Sequence, residues 1–136
     1  MVSRQTIVFQ WLAAGDAGEL DVFDLLLHPD AVVHAPAGLS TTGATEEKRV
    51  WRDAKAAIRD LQHQVQEVAV DGDTEMARVV VTGTLTSEFG GFEGTGQRFR
   101  IDQAVIVHLR EGKIAEAWEI ADMAALAAQV SQEPPL

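Results

Sequence analysis

The chain has 136 residues, 46% of them hydrophobic, a length that suits one domain with a sizeable core. Its 21 acidic and 11 basic residues leave a net charge of −10. The densest basic stretch, residues 48–59, is interleaved with Glu46, Glu47, Asp53 and Asp60, so nucleic acid and anionic membrane surfaces are not expected partners. There is no cysteine, which removes disulfides, thiolate metal sites and thiol nucleophiles.

Residues 4–14 carry Ile7, Val8, Trp11, Leu12 and Ala14 at helical spacing, with Ser3 as N-cap and Gly15 as stop. The apolar run is short and broken by Gln10, so it does not read as a signal peptide, and a cytoplasmic location is expected by default. A second helix over residues 19–27 buries Leu20, Phe23, Leu26 and Leu27 and is ended by His28-Pro29, because proline pushes its predecessor out of the α region. Residues 31–35 form a short strand. A loop over residues 38–43 leads to a third helix, with Val50, Ala54, Ala57, Ile58 and Leu61 as its apolar stripe. Strands follow over residues 64–70 and 76–89, then a hairpin over residues 98–122. Residues 123–130 form a last helix, and the tail, residues 131–136, is expected to be loose. No linker or repeat divides the chain, so residues 1–136 read as a single domain. Helices gathered on one face of an antiparallel sheet make an α+β cone with an open mouth, where small ligands sit.

The hairpin is the most informative stretch. One face of its first strand is Phe99, Ile101, Gln103, Val105, Val107 and Leu109, apolar except for one amide. Along the second strand Ile114, Glu116, Trp118 and Ile120 alternate with Ala115, Ala117, Glu119 and Ala121. A two-residue turn would need positive φ at Glu111, whereas a three-residue turn needs it only at Gly112. The three-residue turn is therefore expected, and it places Gln103 directly opposite Glu119. The other turn slips the register by one and sends Glu119 to the far face.

The order of elements, the Ser3-Arg4-Gln5-Thr6 opening, the Leu27-His28-Pro29-Asp30 turn and the stretch from Gly112 to Trp118 followed by Asp122 resemble the SnoaL-like polyketide cyclases of the nuclear transport factor two-like superfamily. The resemblance spans residues 3–129. It implies the cystatin-like α+β cone with three N-terminal helices on one sheet face. It also implies ring closure by intramolecular aldol condensation, with no metal, no cofactor and no covalent intermediate. Laid along the hairpin without gaps, the family's Gln falls on Gln103, its acid/base Asp on Glu119 and its His on Val105. The carboxylate is one methylene longer than the family's, and the histidine is missing.

Glu119 is the candidate base, its neighbouring alanines supplying the desolvation that would raise its pKa toward working pH. Gln103 would hold a ligand carbonyl or orient Glu119. His34 would sit at the pocket mouth and titrate near neutrality if it faces inward, and Trp51 is a candidate wall. Arg78 could clamp a substrate carboxylate or form a sheet-face salt bridge. Asp122 could join the site or cap the last helix. His28 and His63 read as turn or surface residues, and His108 lies on the face opposite Gln103. No His or carboxylate pair has metal-ligand spacing. The second sheet face, with Ala104, Ile106, Ile114, Trp118 and Ile120, is apolar enough to read as a homodimer interface.

Two functions follow. One is a cofactor-free cyclase or isomerase that abstracts a proton next to the carbonyl of a small hydrophobic, polyketide-like molecule. The other is a non-catalytic carrier or sensor using the same pocket. An epoxide-hydrolase-like reaction ranks last, because the Asp-Arg-Asp cluster it needs is not apparent.

Overall fold

A computed structural model describes residues 4–131. Helix α1, Ile7–Ala17, buries Val8, Trp11, Leu12 and Gly15 on one stripe. The N-cap position is Thr6, whose side chain does not cap the helix, and Ser3 lies outside the described residues. A first-turn amide finds its acceptor far along the chain instead: Val8 N–H donates to the buried Glu75 carboxylate at 2.8 Å. A carboxylate there also suits the positive end of the helix dipole. The helix passes through Gly15 and stops at Gly18, whose φ of 74° makes the left-handed cap. Gly15 has a packing role: a Cβ there would lie 2.4 Å from the Trp51 ring, so a bare backbone is what lets Trp51 reach this depth.

The second helix is smaller than its apolar residues imply. A 3-10 turn, Leu20–Val22, leads into one helical turn, α2, Phe23–Leu26. Strand β1, Leu27–His34, then starts four residues earlier than expected and passes straight through Pro29. It tolerates the proline because its pairing with the neighbouring strand slips between Leu27 and Val32, where no ladder donor is required. A two-residue strand, β2, Thr41–Thr42, pairs with β1.

Helix α3, Ala44–Ala57, ends before Ile58, so Ile58 and Leu61 belong to the next strand rather than to the helical stripe. The remaining strands are β3, Ile58–Asp71, β4, Thr74–Leu85, β5, Gln97–Arg110, and β6, Lys113–Ala121. Helix α4, Met123–Val130, lies on β5, where Arg100 and Gln129 exchange two hydrogen bonds. The strand order is β2-β1-β6-β5-β4-β3, antiparallel except for β1 beside β6. This is the α+β cone: a curved open sheet with α1, the single turn of α2, and α3 on its inner face. Of the expected loose tail, only Ser131 falls within the described residues.

The hairpin turn differs from the expectation. Arg110 pairs with Lys113 across a two-residue turn, with φ of 53° at Glu111 and 77° at Gly112. Two positive φ values match the right-handed twist of the flanking strands, which outweighs the roughly 1–2 kcal/mol a non-glycine residue loses there. One step further in, a β-bulge between His108 and Leu109 shifts the register by one. Together they slip the register by two, which restores the facing but not the pairing. Gln103 pairs with Ala121 and Val105 with Glu119, so Gln103 and Glu119 are diagonal neighbours on the same inner face, not a directly opposed pair. The bulge also turns Ile114 inward, where it is fully buried, rather than onto the outer face with Trp118.

Candidate active site

Between α3, α4 and the inner sheet face lies a cavity of about 140 Å³. Val81, Phe99 and Ile101 form its floor, Trp51 and Ala54 one wall, and Pro36, Leu39, Phe89 and Phe92 come from two loops. Among this apolar lining stand Glu47, His63, Gln103 and Glu119. No lysine or arginine lines the cavity, and among the described residues no three His, Asp or Glu side chains cluster as metal ligands.

Glu119 has no hydrogen bond to a described residue; it is partly buried and lines the cavity. Burial, reinforced by the negative charge of Glu47, pushes its pKa up to about 8. Glu119 is thus held protonated at neutral pH. Glu47, in the first turn of α3, is only 3% exposed. Its two oxygens accept from Thr41 Oγ1 at 2.6 Å and Trp51 Nε1 at 2.9 Å. Burial raises its pKa, while those two hydrogen bonds oppose the rise. The Oε1 atom of Gln103 is sealed from solvent and has no partner among the described residues.

Opposite them is a dyad. His63 Nδ1 lies 2.7 Å from Asp16 Oδ1, and the His63 backbone N–H donates to Asp16 Oδ2 at 2.6 Å. The carboxylate can only accept, so Nδ1 carries the proton and Nε2 of the neutral ring remains an acceptor. Trp51 supports the ring from the side, with centroids 4.9 Å apart. A carboxylate near the C-terminus of α1 opposes the helix dipole; the two donors from His63 compensate.

Three expected site residues stand elsewhere. His34 is on the outer face, because its neighbour Val33 takes the buried position on β1; it bonds Glu116 at 2.7 Å and stacks on Trp118. Arg78 pairs across the sheet with Ala104, and outside the cavity it bonds Glu67 at 2.7 Å. Asp122 caps α4 by accepting from Ala125 N–H at 3.0 Å. Gln103, Glu119 and Trp51 do line the cavity. His63, Asp16 and Glu47 were not anticipated. A bulge between Arg59 and Gln62, with Asp60 at φ 57°, turns His63 inward opposite Val81, and strict alternation gives no sign of it. Glu47 left a signal, since it precedes Val50 by three residues and Trp51 by four and so falls on the apolar stripe.

The sequence profile of the SnoaL-like polyketide cyclases matches residues 6–130. The chain belongs to this family. Among solved structures, the SnoaL-like chain is similar to IdmH of Streptomyces antibioticus, with 28% identity, a TM-score of 0.79 and coverage of 93% of this chain and 96% of that one. A SnoaL-like protein of Jannaschia sp. CCS1 shares the fold at a TM-score of 0.84 and 21% identity, over 94% and 91% of the two chains. The ECF RNA polymerase sigma factor SigJ of Mycobacterium tuberculosis is 28% identical over 123 residues. That match takes in 88% of this chain but only 38% of the sigma factor. Among the described residues no helix is long and apolar enough to cross a membrane.

Proposed function

We propose that this SnoaL-like chain is a cofactor-free cyclase or isomerase for a small, hydrophobic, polyketide-like carbonyl compound. One observation carries the reading: a single apolar cavity presents a proton acceptor on one side, His63 held by Asp16, and a proton donor on the other, Glu119. A ring nitrogen free to accept and a carboxyl that keeps its proton are what acid/base chemistry at a carbonyl requires. In this reading the first proton abstraction passes from Glu119 to His63. His63 Nε2 takes a proton from the carbon next to a carbonyl, and Asp16 stabilises the imidazolium. The enolate carbon then bonds to a second carbonyl carbon of the same molecule. Glu119 gives its proton to the oxygen of that carbonyl, and the imidazolium proton restores Glu119. Gln103 offers its amide N–H to the carbonyl. The test is an aromatic β-diketone in D₂O followed by NMR. Exchange of the hydrogens between the carbonyls should be faster with the protein than without it; binding with no exchange would sink the enzyme reading.

The second reading, a ligand-binding sensor, is favoured by the similarity to part of a sigma factor. It expects the same ligands to bind with no chemistry on them.

The outer sheet face supports a homodimer. Met76 and Ile120 are 46% and 59% exposed there, beside Ile106 and Trp118. Light scattering should report a dimer, and Ile106→Lys should give monomers, since it sets an unpaired charge in an apolar contact. A monomeric unmodified protein would refute this surface assignment.

A further inference from the structure

We propose that Glu47 is a positioning residue: it holds the cavity's fixed negative charge and thereby assigns the single mobile proton of the carboxyl pair to Glu119. The inference deepens the reading of Glu119 as the acid and rests on it. Two carboxyl groups in one apolar cavity cannot both ionise at low cost, so one keeps a proton near neutrality. The hydrogen bonds decide which. Trp51 Nε1 can only donate, so Glu47 Oε1 must accept. The Thr41 bond to Glu47 Oε2, at 2.6 Å, has the length of a hydroxyl donating to an ionised carboxylate. Both oxygens are thereby committed as acceptors. The first turn of α3 adds the positive end of a helix dipole. Glu119 has none of this support and takes the proton.

The arrangement also explains why Glu47 sits on an otherwise apolar stripe. Its charge is locked by β2 on one side and by the indole of its own helix on the other, so it cannot turn away to solvent. Among the described residues that line the cavity, the ionisable side chains are Glu47, His63 and Glu119, with Asp16 acting through His63. No cation from α1, α3 or the sheet lines the cavity to offset the charge of Glu47.

The experiment is carboxyl ¹³C NMR of the full chain labelled at its glutamate side chains and titrated without substrate. Glu119→Gln and Glu47→Gln identify the two signals. In the unmodified protein the Glu119 signal should titrate near 8 and the Glu47 signal at lower pH than Glu119. In Glu47→Gln the Glu119 midpoint should drop by about one pH unit or more. Glu47→Asp, which keeps the charge, should hold it high. Thr41→Val removes one donor and should move the midpoints toward each other, and it carries the test if Glu47→Gln fails to fold. A Glu119 midpoint that ignores these changes, or a proton found on Glu47 instead, overturns the proposal. If the titration behaves as expected but no β-diketone is exchanged, the enzyme reading fails and the role of Glu47 stands.

Discussion

Replacing Glu119 with Gln should cost roughly 10²- to 10⁴-fold in turnover, the usual contribution of a general acid, while making the protein more stable at pH 8. The amide keeps the shape of a protonated carboxyl but has no proton to release. The stability effect follows from linkage. In the unfolded chain Glu119 ionises around its ordinary value of 4.5, whereas in the folded cavity it holds its proton up to about 8. Between those values the folded state binds a proton that the unfolded state has lost, so stability falls as pH rises through this window and levels off above it. The full effect is on the order of a few kcal/mol. Gln at position 119 does not titrate. Its melting temperature should exceed that of the unmodified protein at pH 8 and converge with it at pH 5. Parallel melting curves across that range would show that Glu119 ionises normally.

Loss of the dyad should be as severe. His63→Ala should lower exchange on an aromatic β-diketone roughly 10²- to 10⁴-fold, and added imidazole should restore part of it. Rescue matters because His63 also packs beside Trp51, and a purely structural loss would not respond to a soluble base. Asp16→Asn should lose most of the rate with its fold intact. Its amide can donate to the ring and stabilise the wrong tautomer, leaving Nε2 protonated and unable to accept. An Asp16→Asn rate equal to that of the unmodified chain would remove Asp16 from the mechanism.

The sequence carried the fold further than the site. Alternation along β5 identified its inner face correctly, from Phe99 through Leu109, because β5 pairs with β4 along its length without a bulge, so the period of two is never broken. The shared location of Gln103 and Glu119 was legible as well, though through the wrong turn. A two-residue turn and a bulge each slip the register by one in the same sense, and only their sum of two returns Glu119 to the inner face. The same physics hid His63: one extra residue before Gln62 inverts the faces of β3, and local composition gives no notice of a bulge. His34 and Arg78 were drawn toward the site by their chemistry alone. Their strand positions, beside buried Val33 and opposite Ala104, put them outside. Glu47 needed no tertiary information beyond the helical stripe, and counting it only among the acids that interleave the basic stretch of residues 48–59 concealed it.

The most direct measurement is the pH profile of β-diketone exchange catalysed by the unmodified protein and by Glu119→Gln. The unmodified rate should fall on the alkaline side with a midpoint near 8, as Glu119 loses its proton. Glu119→Gln should be slower throughout and lack that fall. An alkaline limb that persists unchanged in Glu119→Gln would contradict this.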